Sequence, residues 1–507
     1  MQPEAFILPG NDNDRALLEN IHPQGWQNPK PAKCYNLVVI GGGPAGLVAS
    51  RTAAELGAKV ALVESNLLGG DCLNLGCVPS KTLIGCARAA HNVRSAKLFG
   101  VTDNDQKPEF TKVMERMQIV RAGLSVNDSA HLLSRELGID LFFGQGLFRG
   151  PDTIEVDQSL LRFKKAAICT GARAAVPSIP GLDETGFLTS ETVFSLTALP
   201  RRLAVIGAGA IGCELAQVFS RLGSAVTLLE PGPRLLPRED RDASEVVQRA
   251  FEAEGIRLLF HSRISRVFAR EGEKAVLYSR NGGESELAVD AILVAVGRAP
   301  NLNNLHLEKA GVHYHPRSGI KVDACLRTSN RKIFAAGDVC SIYKFTHTAE
   351  AQARTLVANA LLPMQRRSLN NVISWCTYTS PELAHAGLYE QEAQARGIEV
   401  TTLTVPMSAV DRAWMDGETE GFARVLLKKG TDRILGATIV SRHAGEMIGE
   451  LTLAINRGLG LKAIGHTLHP YPTQSAVIKK LADAYLRSRL KPWLKNVLRA
   501  WMRWQNR

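Results

Sequence analysis

Two stretches of the chain repeat one order of apolar and small residues. In the first, the apolar run Tyr35–Ile40 leads into Gly41-Gly42-Gly43-Pro44-Ala45-Gly46 and a helical pattern that reaches Leu56. A second apolar run, Lys59–Val63, then ends in Glu64. In the second stretch, Leu203–Ile206 leads into Gly207-Ala208-Gly209-Ala210-Ile211-Gly212, and Ala225–Leu229 ends in Glu230. Each predicts strand, tight turn, helix and parallel strand. In both copies the first glycine and the acid are 23 positions apart. Gly41, Gly43 and Gly46, and likewise Gly207, Gly209 and Gly212, permit the turn and let a pyrophosphate approach backbone amides at a helix N-terminus. Glu64 and Glu230 stand where ribose hydroxyls are accepted. One such loop is weak evidence; two, each with strand, helix and acid in place, point to two nucleotide sites.

Between the copies lies Gly69-Gly70-Asp71-Cys72-Leu73-Asn74-Leu75-Gly76-Cys77-Val78-Pro79-Ser80-Lys81. Cys72 and Cys77, five residues apart, can form a disulfide across one distorted helical turn. Two thiols held so close can pass electron pairs between a cofactor and an outside substrate. A structural bridge or a zinc half-site is the plainer alternative. Zinc needs further ligands nearby, and no other Cys or His follows at ligand spacing, so no metal site is expected.

These residues resemble the flavin-dependent pyridine nucleotide–disulfide oxidoreductases, the family of dihydrolipoamide dehydrogenase, glutathione reductase and mercuric reductase. The likeness runs from about Tyr35 to about Tyr485. It implies an α/β fold with two Rossmann-type nucleotide-binding domains, one for FAD and one for NAD(P), plus a C-terminal α+β dimerisation domain. The implied division is 1–33 an N-terminal extension, 34–175 the first part of the FAD domain, 176–300 the NAD(P) domain and 301–370 a return to FAD. Residues 371–484 would form the dimerisation domain, and 485–507 a basic amphipathic helix. By the same likeness FAD is held by the first loop, Gly146, Thr170, Gly171 and Asp338, the last within Ile333-Phe334-Ala335-Ala336-Gly337-Asp338. The second loop and Gly297 hold the nicotinamide nucleotide. Glu230 would repel a 2′-phosphate, which favours NADH over NADPH, although Arg234 lies close by. In the family mechanism Cys77 rests on the flavin as a thiolate, Cys72 meets the substrate, and Lys81 and Glu214 form a buried pair near the flavin.

The departures from the family narrow the acceptor. Disulfide-reducing relatives carry His-Pro-Thr, with a Glu five residues after the His, as a proton-handling dyad. Aligning on Pro472-Thr473 of His469-Pro470-Tyr471-Pro472-Thr473-Gln474-Ser475-Ala476 puts Tyr471 in place of that His and Ala476 in place of its Glu. Mercuric reductase also has a tyrosine there, because a thiolate-bound metal ion needs no such base. His469 would serve only after a two-residue slip, and no carboxylate follows at the family's spacing. Mercuric reductase's C-terminal cysteine pair and N-terminal CxxC module have no counterpart, and its second active-site tyrosine aligns with Phe187. The chain therefore resembles the mercuric-reductase-like branch without the mercury-trafficking parts. A soft metal ion or a small thiol-reactive acceptor is expected. A dihydrolipoamide dehydrogenase-like disulfide reductase is the weaker alternative. The family also implies a homodimer in which Tyr471 acts in trans.

The 507 residues hold nine cysteines. Beyond the pair, Cys34, Cys86, Cys169, Cys213, Cys325, Cys340 and Cys376 read mostly as core thiols, which suits a reducing, cytoplasmic setting. Residues 1–33 read as an extended arm whose Trp26 docks on the body. No apolar run reaches the ~18 residues of a membrane span. Of the net charge of +12, residues 485–507 supply seven Lys or Arg and no acid, leaving +5 for all the rest. From Pro492, Trp493, Leu494, Val497, Leu498, Trp501, Met502 and Trp504 fall on one helical face. Lys495, Arg499, Arg503 and Arg507 fall on the other. That pattern fits either an interfacial helix on anionic lipid or a helix packed on its own dimer. The former would make the protein a peripheral, membrane-associated electron-transfer partner of a quinone or membrane protein. Nucleic acid is not expected, since the basic stripe is short and no binding motif accompanies it.

Overall fold

The computed structural model describes residues 10–101, 107–363, 371–489 and 492–506. It divides into two compact units, Met1–Pro233 with Glu254–Asn370, and Arg234–Ala253 with Asn371–Arg507.

The first unit contains both repeats as parallel sheets. Tyr35–Ile40 pairs in parallel with Val60–Glu64 on one side and with Ser159–Ile168 on the other, in a seven-stranded sheet that Ile333–Ala335 also joins. The strand burial is continuous along Val60–Glu64, as expected where helices cover a parallel sheet. The second repeat forms a four-stranded parallel sheet in the order Arg257–Leu259, Ala225–Leu229, Arg202–Ile206, Ala291–Val294. A three-stranded antiparallel sheet, Arg263–Arg270, Glu273–Arg280 and Gly283–Val289, packs its Val267, Val276 and Tyr278 against the same core.

The second unit is an antiparallel five-stranded sheet in the order Ser374–Thr377, Glu382–Gly387, Ile434–Ser441, Phe422–Lys428, Val400–Pro406. Helices Ala444–Arg457 and Ala476–Arg489 close its core through Ile448, Leu451, Val477, Ile478 and Leu481.

The N-terminal segment is more than an extended arm. Asn11 caps a helix, Asp12–Ile21, by accepting from the Asp14 amide, as Asn at that position does. Leu17 and Ile21 are fully buried in the core beneath the first repeat. Trp26 docks as expected, its indole N–H donating to the Leu141 carbonyl at 3.3 Å and its ring meeting Phe143 edge-on. The helix carries a buried carboxylate, Asp14, which pairs with the equally buried Arg121 at 2.9 Å. Burial raises the Asp14 pKa and the Arg121 charge opposes that rise. Arg121 also donates to the carbonyl of Asn74 at 3.3 Å, between the two redox cysteines.

Five of the seven remaining cysteines depart from the expectation of core thiols. Cys169 and Cys213 are buried, but Cys34 is exposed and Cys86, Cys325, Cys340 and Cys376 are only partly covered. Cys34 falls just before the first strand, ahead of the buried run, and Cys86 lies in the helix Cys77–Ser95 outside its buried positions. Burial still pushes the Cys340 thiol up to about 12 and the Cys169 thiol up as well, which keeps both protonated.

Replacing Asp14 with Ala strands a buried guanidinium, a loss worth about 3–5 kcal/mol. Thermal unfolding followed by fluorescence should show a clearly lowered midpoint for Asp14→Ala and a normal one for Asp12→Ala, whose partner pair is exposed.

Candidate active site

The two glycine loops share an internal geometry. In the first, Gly41 has φ +104° and Gly46 faces the Gly41 carbonyl so closely that a Cβ on Gly46 would collide with it. Gly207, also at φ +104°, and Gly212 repeat the relation. Gly43 and Gly209 stand as N-caps with extended backbone, opening helices Pro44–Glu55 and Ala210–Leu222. Both cradles are thus shaped for a ligand that needs bare backbone.

The acids close each loop in the same way. Glu64 accepts from the Gly42 amide at 2.5 Å and the Asn66 amide at 2.7 Å. Glu230 accepts from Ala208 at 2.9 Å and Gly232 at 2.8 Å. Burial raises the Glu64 pKa and the amides oppose it. Arg234 is occupied elsewhere, donating to the carbonyls of Pro237 and Glu239, each at 3.0 Å.

The other predicted FAD residues gather at the first loop. A Cβ on Gly337 would lie 3.3 Å from the Ala45 Cβ, and one on Gly146 would touch Val63 and Ile40 at 3.2 and 3.3 Å. The Ala336 amide donates to the Ile168 carbonyl at 3.1 Å, carrying the parallel pairing up to the Gly337-Asp338 turn. Thr170 and Gly171 are tied to Asn301 through three hydrogen bonds of 2.8–3.0 Å. On the other loop, Ala295 lies against Gly207 and donates to the Ile206 carbonyl at 2.8 Å. Gly297, with φ +125°, follows two residues later.

Sequence reasoning gave no role to Arg298, which is half-buried in this region. It pairs with Asp71, donates to the Ala172 carbonyl at 2.5 Å and stands 3.5 Å from Asp338, while its Nε has no hydrogen-bond partner. A half-buried guanidinium whose covered Nε is an unused donor fits a site for a diphosphate-bearing cofactor. Burial raises the Asp338 pKa and Arg298 is the main force opposing it.

The redox segment is built by two successive helices. Cys72 lies in the short helix Gly70–Asn74, and Cys77 is the first residue of Cys77–Ser95. Asn74, buried between them, donates to the carbonyls of Leu68 at 3.0 Å and Gly70 at 2.9 Å, which fixes the loop that joins Cys72 to the glycine cradle. Both cysteines are reduced here. A hydrogen bond from Cys72 lowers the Cys77 pKa most, burial opposes it, and the Thr346 hydroxyl and the Lys81 charge add to the lowering, giving about 6. The same bond and burial raise the Cys72 thiol. A thiolate at a helix N-terminus near a cation is the arrangement that favours ionisation. Thr346 Oγ1 stands 3.5 Å from the Cys77 sulfur, a contact from 269 residues away in sequence that no local motif announces. Lys81 and Glu214 meet at 2.7 Å, with the Glu214 carboxylate almost wholly buried.

Tyr471 and His469 lie in the second unit. The Tyr471 side chain is 74% exposed and its hydroxyl donates to Asp411 at 3.0 Å. That hydrogen bond raises the phenol pKa. His469 does have a carboxylate partner, contrary to the reading from the family's spacing. Glu450 of helix Ala444–Arg457 stands 3.0 Å from Nε2, and the Thr467 carbonyl is 3.0 Å from Nδ1. Both ring nitrogens of His469 are thus engaged within the second unit. Phe187 packs against the core of the second repeat. Among the described residues no group of three or more His, Cys, Asp or Glu could hold a metal ion.

Comparison with known proteins settles the family. The pyridine nucleotide-disulphide oxidoreductase family model matches residues 35–353, and that family's dimerisation domain matches 373–482. The chain belongs to this family. It is a FAD- and nicotinamide-dependent oxidoreductase carrying the dimerisation domain. A mercuric reductase from Lysinibacillus sphaericus is 35% identical over 479 residues, covering 94% of this chain and 86% of the relative. A dihydrolipoyl dehydrogenase from Thermus scotoductus is 36% identical over 470 residues, covering 89% and 97%. The solved HOCl-induced flavoprotein disulfide reductase RclA from Escherichia coli superposes with a TM-score of 0.80 at 30% identity, covering 89% of this chain and 99% of that one. Its Cu(II) complex gives 0.79, also at 30% identity, covering 88% and 98%.

The Cys77 assignment has a pH signature. Because its folded pKa lies below the ordinary thiol value, the thiolate is present above about pH 6 and is lost as the pH falls through that value. The thiolate-to-flavin absorbance of the two-electron-reduced holoenzyme should follow that curve. Lys81→Met should move its midpoint upward, since the charge that helps hold the proton off is gone.

Proposed function

We propose that this oxidoreductase takes electron pairs from NADH and delivers them through the Cys72–Cys77 pair to a soft metal ion or a small thiol-reactive acceptor. The observation that carries the reading is the unequal dithiol, Cys77 favouring the thiolate and Cys72 the thiol, coupled to the Lys81–Glu214 pair. FAD, held by the first loop, Gly146, Thr170, Gly171 and Asp338, would supply hydride acceptance and reduction of the disulfide. The nicotinamide nucleotide would rest on Gly207, Gly209, Gly212 and Gly297, with Glu230 on its ribose. Glu230 presents a carboxylate there and Arg234 is bound to its own loop, which supports NADH over NADPH.

The chain's own groups then divide the work. Lys81 stabilises the Cys77 thiolate, Glu214 holds Lys81 in place, and Cys72 offers its sulfur to the acceptor. With Cys77 already ionised, oxidation of the pair to the disulfide releases two electrons and the single proton of Cys72. A disulfide acceptor would need a proton delivered to each leaving thiolate, and a general acid for that step works best with a pKa near the operating pH. Tyr471 is a poor one, since its phenol, ordinarily near 10, is held higher still by Asp411. A metal ion bound by two sulfurs accepts electrons without that proton, so Tyr471 serves as a hydroxyl ligand or donor, offered in trans within a homodimer. The mercuric reductase relative and the Cu(II) complex of RclA support a thiophilic metal as acceptor. The dihydrolipoyl dehydrogenase relative supports a disulfide, against which stands the engagement of both His469 nitrogens by Glu450 and the Thr467 carbonyl.

Steady-state turnover with Hg(II), Cu(II) and lipoamide tests the reading. Cys72→Ala should retain FAD and lose metal reduction by at least ~100-fold, the scale on which loss of an essential nucleophile acts. Lipoamide turnover should be minor in the parent enzyme. Full metal reduction by Cys72→Ala, or lipoamide as the best substrate, would refute it. Glu230→Ala should narrow the NADH preference by about tenfold, or ~1.4 kcal/mol, read as the ratio of kcat/KM values.

A further inference from the structure

The helix Pro492–Gln505 has no described side chain that is buried. A segment of 14 residues is marginal as an isolated helix in water, because nucleation is costly and most helical stability comes from packing an apolar face. Here that face is bare: Trp493 is 62% exposed, Trp501 53%, Met502 60% and Trp504 66%, with Val497 and Leu498 between them. At 100° per residue these six lie within one half of the helix. The Trp501 and Trp504 rings stand 5.2 Å apart, joining into one apolar surface. Lys495, Arg499 and Arg503 occupy the opposite half, and no acid occurs anywhere in 485–507.

We propose that this helix docks the enzyme on an anionic lipid bilayer, lying in the plane of the interface. Such a surface satisfies both halves at once. The acyl boundary receives the tryptophans, whose amphipathic rings favour that depth, and the anionic headgroups meet the cations. Its charge argues against the other occupants. A second copy of the helix would bring two cationic flanks together with no carboxylate in the segment to offset them. A polyanion such as nucleic acid would satisfy the cations and leave three tryptophans in water. The helix lies on the surface and does not cross it: among the described residues no helix is long and apolar enough to span a membrane. Docking is independent of the acceptor that the dithiol serves, so neither proposal stands or falls with the other.

The test is co-sedimentation of the FAD-loaded full chain with vesicles of phosphatidylcholine alone and of phosphatidylcholine mixed equally with phosphatidylglycerol. The chain should sediment with the mixed vesicles, at least tenfold more than with the neutral ones, and raised salt should weaken the binding. A triple variant, Trp493→Ala, Trp501→Ala and Trp504→Ala, should lose binding while keeping its FAD content and NADH oxidation. A second triple variant, Lys495→Glu, Arg499→Glu and Arg503→Glu, should lose it too. Equal binding to both vesicle types, or undiminished binding by either triple variant, would overturn the proposal. So would failure of the parent to bind, together with a tryptophan-dependent change of oligomeric state in light scattering, which would assign the face to a second copy.

Discussion

The site turns on one buried contact, the ion pair between Lys81 and Glu214. A carboxylate with almost no exposure is costly unless paired, and here the pair joins two elements that the sequence places far apart. Lys81 lies one helical turn after Cys77, while Glu214 lies in the helix that opens from the second glycine loop. The contact therefore links the redox helix to the second glycine cradle. The fold's other devices serve the same end. The Asn74 side chain fixes the Leu68–Gly70 turn, whose Gly69 amide donates to the Gly42 carbonyl of the first cradle, and Arg121 donates to the Asn74 carbonyl.

That last bond gives the N-terminal segment a purpose. Leu17 and Ile21 complete the core beneath the first sheet, and Asp14 holds the arginine that reaches the Asn74 carbonyl. The family model begins at Tyr35, and this helix upstream of it nonetheless reaches the segment carrying the redox cysteines. Its polar, Asn- and Pro-rich composition concealed it. A ten-residue helix whose apolar face is mainly two side chains leaves a weak periodic signal, and its anchor is a tertiary ion pair.

Legibility in the sequence followed the locality of the physics. The glycine loops, their acids and the cysteine pair depend on residues within a few turns of one another, so spacing alone predicted both parallel sheets and both cradles. Lys81 and Glu214 were legible only through family likeness. Arg298, Thr346 and Asp411 were not legible at all, because each acquires its role by a contact across 60 or more residues. His469 shows the converse. Its carboxylate partner exists, but it comes from 19 residues upstream on another helix, where the local motif offers no hint of it. The C-terminal helix sits at the legible extreme, with its two faces written directly in the order of tryptophans and cations.

In the function proposed, electrons leave through an unequal dithiol toward an acceptor that needs no proton from a base. The most direct measurement is an anaerobic titration of the holoenzyme with NADH, followed by Hg(II) or Cu(II), with the flavin spectrum recorded throughout. The account predicts a long-wavelength band after two electrons, and then return of the oxidised spectrum and renewed NADH consumption when the metal is added. A metal that merely traps the dithiol, with no reoxidation and no further NADH oxidation, would contradict it.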